Sequence, residues 1–271
     1  AGSRSRRHSG AMAPIHVSRS GRGPAALFVH GFPLDHTMWS AQTEHLADVA
    51  MCLAPDLSGF GASPHDGSEK LSMERHADDL ARVLDAEGAE RADVVALSMG
   101  GYVALAMWEL HRDRIRSLTL VDTRAEADDA AGRDKRDEAV ARLQETGREE
   151  FARGMLPALL GPDATDEVRR DVAAMIESTP YETIAAALRG MRDRADRTGV
   201  LASIDVPSLV VCGELDAITP PDLSRAMATA LPRSELVLVP GVGHMTPMEA
   251  PEAVNGALRT FLTQRARSER R

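Results

Sequence analysis

Cysteine is scarce: Cys52 and Cys212 are the only two in 271 residues. Each falls within an apolar stretch and they lie far apart, which excludes a disulfide framework. They read as small buried side chains in a chain of the reducing cytoplasm. Aromatic residues make up only 3%, so a pocket is expected to be walled by Leu, Met, Val and Ala rather than by an aromatic cage. No apolar run reaches the roughly 18 residues of a membrane-spanning helix. No His or Cys pair has ligand spacing, no His-Glu-x-x-His occurs, and the glycine-rich turns form neither a phosphate loop nor a dinucleotide fingerprint. The sequence therefore predicts no metal and no cofactor. Basic residues are also short. Residues 1–22 hold five Arg and no acid, and the rest of the chain sets 27 basic against 41 acidic side chains. An acidic body does not suit nucleic acid as a partner.

The first residues are basic and small with no apolar stretch behind them, unlike a secretory leader. Residues 1–14 are read as a disordered tail or expression remnant, and 266–271 as a C-terminal tail. Hydrophobic content of 43% and charged content of 27% fit one globular unit with room for an inserted subdomain. Apolar runs predict strands at 15–18, 25–29, 51–54, 94–98, 118–122, 208–213 and 235–239. Helical periodicity follows most of them, at 38–50, after Ser72, from Ser98 to about 111, at 221–231 and at 250–264. Residues 124–200 contain no strand pattern and carry helical stripes at 133–147, 149–160, 165–178 and 181–193. The expected division is a core of 15–123 and 201–265 with a helical cap of 124–200. Their Arg and Asp runs read as a solvated face. The fold class is α/β: a mostly parallel twisted sheet with helices on both faces and an inserted helical cap. Functional residues of such sheets gather at the carboxyl ends of strands.

Four strand ends carry chemistry. The first is Ala96-Leu97-Ser98-Met99-Gly100-Gly101, a strand, sharp turn and helix with Ser98 at the turn and small residues two positions to either side. The others are His30-Gly31-Phe32-Pro33, Gly213-Glu214-Leu215-Asp216 and Gly241-Val242-Gly243-His244. With Asp56-Leu57-Ser58-Gly59-Phe60-Gly61-Ala62-Ser63, these motifs resemble the α/β-hydrolase superfamily, and within it the branch of 3-oxoadipate enol-lactonases, cofactor-free haloperoxidases and esterases. The resemblance spans roughly residues 25–265, and its order Ser, Asp, His is the one expected there.

The resemblance implies a serine hydrolase of carboxylic esters or lactones. A serine hydroxyl is a weak nucleophile and needs a base. His244 is expected to be that base, with Asp216 fixing its tautomer. Asp122, which also ends a strand, and Glu214 are rivals for the acid. By analogy, the backbone N–H groups of Phe32 and Met99 would form an oxyanion hole. His30 is read as a loop-packing histidine, and Asp56 as the holder of its own turn. Phe32, Met99, Trp39, Phe151, Met155, Met191 and Met245 are the candidate pocket side chains. The expected partner is a small ester or lactone, with no membrane and no nucleic acid. Monomer and homodimer are equally open. Alternatives that keep the same residues are a carbon–carbon hydrolase of ring-cleavage products, perhydrolysis as a side activity, and a small-molecule sensor on this fold.

Overall fold

A computed structural model describes residues 14–268. Residues 1–13 and 269–271, to which most of the two expected tails belong, lie outside the described residues. Seven strands form one sheet: β1 (Val17–Gly21), β2 (Ala25–Val29), β3 (Met51–Pro55), β4 (Ala92–Leu97), β5 (Ile115–Val121), β6 (Ser208–Gly213) and β7 (Ser234–Val239). Their order is β1-β3-β2-β4-β5-β6-β7. All pairings are parallel except β1 with β3. Every residue of β2, β4 and β6 is buried, as strands covered on both faces require. Their runs of Val, Leu and Ala are therefore continuous rather than alternating.

The helices are α1 (Ser40–Leu46), α2 (Met73–Ala86), α3 (Met99–His111), α4 (Ala130–Leu159), α5 (Asp166–Ser178), α6 (Tyr181–Arg192), α7 (Pro221–Ala230), α8 (Thr246–Glu249) and α9 (Pro251–Ser268). Helix α2 begins where Ser72 accepts the Arg75 N–H at 3.2 Å, satisfying one of the free amides of the first turn. Helices α1 and α9 pack together, α2 packs on α3, and α7 covers β6 and β7. Among the described residues no helix is long and apolar enough to cross a membrane.

Several boundaries differ from those expected. The first strand is 17–21 rather than 15–18. Its pattern is only weakly alternating, so the register with β3, Val17 opposite Pro55 through Gly21 opposite Met51, decides its extent. The helix expected over 38–50 is shorter. A 3-10 turn at His36–Trp39 precedes α1, and the chain leaves the helix after Leu46, whose carbonyl takes both the Val49 and Ala50 N–H groups. Helix α9 continues through 268, where a tail had been expected from 266.

Helices α4–α6 are inserted between β5 and β6 and pack on one another. Gly147, at φ +78°, breaks α4 into two arms, close to the gap between the two expected stripes. Three contacts seat the insertion on the core. Thr179 donates to the Pro33 carbonyl at 3.1 Å, and Thr183 to the Gly59 carbonyl at 2.9 Å. Gly190 lies so close to the Leu71 carbonyl that a Cβ would sit 1.7 Å from its oxygen. The charged residues here are not all solvated, as had been expected. Asp128 is buried and receives Arg124, Arg136 and Arg194 at 2.5, 3.0 and 2.9 Å. Arg194 also lies 4.2 Å above the Tyr102 ring of α3. Arg197 is buried and bridges Glu74 of α2 and Glu109 of α3. Charge patterns in sequence do not reveal such pairing, because the partners come from other elements.

Candidate active site

Ser98 sits between β4 and α3 at φ +53° and ψ −114°, a backbone conformation that non-glycine residues rarely adopt. Neighbouring groups hold it there. Its N–H donates to the Val121 carbonyl at 3.0 Å, and its carbonyl accepts from the Gly101 N–H at 2.8 Å and the Thr123 hydroxyl at 2.7 Å. The small residue two positions on is a steric necessity. A Cβ on Gly100 would lie 2.4 Å from the Val29 carbonyl oxygen and 2.8 Å from that of His30. Both contacts are backbone and cannot rotate away. Gly100→Ala is therefore expected to lower stability by about 1–3 kcal/mol, measured by denaturant unfolding. A ΔΔG within 0.5 kcal/mol of zero, in rough terms the scatter of neutral surface changes, would remove the clearance argument.

The histidine expected to act as base lies in the loop after β7, the base loop. His244 is buried, and its Nε2 lies 2.8 Å from Ser98 Oγ. Its Nδ1 lies 2.8 Å from Asp216 Oδ2. Asp216 follows β6, and its other partners are the Ile218 N–H at 2.8 Å, the Thr219 N–H at 2.9 Å and the Thr219 hydroxyl at 2.6 Å. Of the three carboxylates weighed from sequence, Asp216 is the one hydrogen-bonded to the ring. Glu214 is exposed. Asp122 turns its carboxylate to the Gly213 N–H at 2.9 Å and the Thr246 N–H at 3.3 Å.

The electrostatics are those of a buried chain of proton donors and acceptors. Burial alone would raise the Asp216 carboxyl, but hydrogen bonds from His244 and Thr219 outweigh it and hold the group below the usual carboxylate range. Burial would likewise lower His244, yet the Asp216 hydrogen bond and charge, with Asp122 adding to them, raise it above its ordinary value. Burial pushes Asp122 up to about 7.

Packing between the loops explains this precision. Leu215 N–H donates to the Val242 carbonyl at 2.9 Å, lacing the acid loop to the base loop. The Leu159 carbonyl at the end of α4 accepts the N–H groups of both His244 and Met245. Glu249 accepts from Gly161, Gly243 and Met245 at 2.7, 3.1 and 3.2 Å, so the same carboxylate grips the insertion and the base loop. Thr219 and Glu249 carry no sequence signal for this role. Their importance lies in what they hold, which only the folded chain shows.

Ser98 and His244 open into a cavity of about 940 Å³ between the sheet and the insertion. Phe32, Phe151, Met155 and Met191 line it, as expected from sequence, along with Tyr102, Leu188 and Ile218. Three expected lining residues do not. Trp39 is fully buried 5.5 Å from Phe28, filling the core rather than the cavity. Met99 and Met245 are also fully buried and contribute to the core cluster rather than to the cavity lining. Met99 is nonetheless the first residue of α3, where backbone N–H groups have no acceptor within their own helix. Arg124, Lys135, Arg136 and Arg142 stand with Glu126, Asp128, Asp129 and Glu138 around the same cavity, so its upper wall is more charged than composition suggested.

His30 packs within its loop, its Nδ1 to the Gly31 carbonyl at 2.8 Å and its Nε2 accepting the Leu57 N–H at 2.9 Å. Asp56 holds its turn through the Ala62 N–H, and also takes the His36 N–H and the His16 and His36 rings. Two groups of metal-ligand side chains therefore come together that sequence spacing had not indicated. They are His16, His36 and Asp56, and Asp122, Cys212 and Asp216, each with ligand atoms within 4.8 Å of one another. In the first, both carboxylate oxygens are already engaged by backbone N–H groups. In the second, burial pushes the Cys212 thiol up to about 12, which disfavours the thiolate that binds metals. Both cysteines are buried and free.

Comparison with known proteins gives a concordant picture. A thermophilic esterase from Thermogutta terrifontis superposes with a TM-score of 0.89 at 40% identity, over 93% of each chain. The enol-lactonase from Burkholderia xenovorans superposes with a TM-score of 0.83 at 25% identity, over 92% of this chain and 96% of that one. A pimeloyl-[acyl-carrier protein] methyl ester esterase from Neisseria meningitidis is 29% identical over 86% of this chain and 91% of its own. The model of the alpha/beta hydrolase fold matches residues 24–251. That span takes in the sheet from β2 to β7, the insertion and all four chemistry-bearing strand ends, and the chain belongs to the alpha/beta hydrolase fold family.

Proposed function

We propose that the protein is a serine hydrolase of carboxylic esters or lactones. One observation carries the reading: the unbroken run from Ser98 Oγ through the His244 ring to Asp216, with 2.8 Å at each junction, opening on the cavity between sheet and insertion. His244 Nε2 takes the Ser98 proton as Oγ attacks the acyl carbon. The imidazolium is stabilised by Asp216 and returns the proton to the leaving alkoxide. Water, deprotonated by the same Nε2, then releases the acid. The developing oxyanion is met by the Phe32 and Met99 N–H groups, the latter at the positive end of α3. Helices α4–α6 act as a cap. Their apolar side chains Phe151, Met155, Leu188 and Met191 form the acyl wall, and the esterases and the enol-lactonase among the similar proteins support carboxylic esters or lactones as the substrate class.

The test is hydrolysis of a panel of p-nitrophenyl esters of graded chain length and of lactones, followed across pH. His244 must be unprotonated to act as base, and its folded-state value is raised. Activity is therefore expected to be full at alkaline pH and to fall as pH drops through a midpoint above the ordinary imidazole value of 6.5. No turnover of any panel member, or an acid limb below 6, roughly half a unit under a free imidazole, would count against the reading.

A further inference from the structure

Asp122 is buried, charged-type and unused by the mechanism above. It holds φ +44°, the second positive-φ residue after Ser98 among the described non-glycine residues. Asparagine and aspartate tolerate that region better than other side chains, but the conformation is still unfavourable. Glycine would relieve it but would lose the carboxylate. Its two oxygens go to two different loops. Oδ1 accepts the Gly213 N–H, at the root of the loop carrying Asp216. Oδ2 accepts the Thr246 N–H, two residues beyond His244. The backbone around it serves the third group. Val121 O takes the Ser98 N–H, and the Thr123 hydroxyl donates to the Ser98 carbonyl. The Asp122 N–H itself is anchored on the Val211 carbonyl of β6.

We propose that Asp122 is a positioning residue for this reaction: with Val121 and Thr123 it forms one clamp at the end of β5 to which nucleophile, acid and base are all referenced. The proposal rests on the serine hydrolase reading and deepens it. A shift of about 1 Å between reacting groups can cost 100-fold in rate, and here three loops from separate strand ends must agree to better than that. A purely structural carboxylate would need only one of these loops. The groups facing Asp122 are His244, Asp216 and Cys212. Among the described residues, the cationic group that acts on the Asp122 carboxylate is the His244 ring. The carboxylate's charge adds to the basicity of that ring.

The test compares Asp122→Asn and Asp122→Ser with wild type on p-nitrophenyl butyrate. Active sites are counted by fluorophosphonate titration, so that misfolded protein is not scored. Asp122→Asn keeps the shape and one acceptor and removes the charge. Its kcat per active site is expected to fall about tenfold with KM within about twofold, the signature of lost transition-state positioning. Its acid limb is expected to move to lower pH, since His244 loses the raising charge that Asp122 carries above about pH 7. Asp122→Ser, which reaches neither loop, is expected to lose about 100-fold. If Asp122→Ser does not fold, Asp122→Asn decides alone. Wild-type kcat per active site in Asp122→Asn, or an unmoved acid limb with losses only in the number of active sites, overturns the proposal. Ser98→Ala run in parallel separates the two claims. If it is inactive while Asp122→Asn is normal, only the clamp falls; if it is active, the hydrolase reading falls.

Discussion

Ser98→Ala should lower kcat on every accepted ester by about 10⁴–10⁶-fold while leaving the thermal unfolding midpoint within a few degrees of wild type. The first half follows from chemistry. Without Oγ there is no nucleophile for His244 to activate, and direct attack by water retains only what the oxyanion donors and binding provide. The second half follows from the backbone. What holds position 98 at φ +53° is the Val121 carbonyl on its N–H, and the Gly101 N–H and Thr123 hydroxyl on its carbonyl. None of these involves the side chain. Fluorophosphonate labelling should vanish in the same variant, with the adduct on the Ser98 peptide in wild type. Activity within tenfold of wild type would remove Ser98 from the mechanism.

Asp216→Asn should cost on the order of 10⁴ in kcat, and the reason is a tautomer. Asparagine can turn its carbonyl oxygen to the Ile218 and Thr219 N–H groups, which now share Oδ1. Its amide NH₂ then faces His244 Nδ1, where the carboxylate had accepted a hydrogen bond from the ring. The ring must place its proton on Nε2, and the lone pair needed by Ser98 is lost. Binding is untouched, so KM should stay within about threefold. Glu214→Gln, at an exposed position, should change kcat by less than twofold, within the ordinary range for surface substitutions. Asp122→Asn should fall between these extremes. An order of effects with Asp122 or Glu214 above Asp216 would reassign the acid.

Much of the architecture was legible in the chain itself. The strand of 208–213 matches residue for residue, because a fully buried strand is an uninterrupted apolar run. Ser72 as a helix cap and Ser98 at the turn before α3 were legible for local reasons of hydrogen bonding and clearance. The first strand was misplaced because an edge strand takes its limits from its partner. Trp39, Met99 and Met245 were placed in the pocket because an apolar side chain near a functional loop has no sequence mark for which way it points.

Sequence by itself determined which candidate groups the chain carries, their order along it and their place at the carboxyl ends of strands. Those depend on residue type and on patterns a few residues long. Tertiary structure alone decided which carboxylate meets the His244 ring and which side chains line the cavity. It also decided that Asp122, Thr219 and Glu249 hydrogen-bond to the acid and base loops. These are matters of register and loop packing between segments more than 80 residues apart in several cases, as with Asp122 and Gly213 or Gly161 and Glu249. Hydrogen bonds reach about 3 Å, so an error of one residue in register, about 3.3 Å along a strand, exchanges one partner for another. Nothing in a local pattern has that resolution.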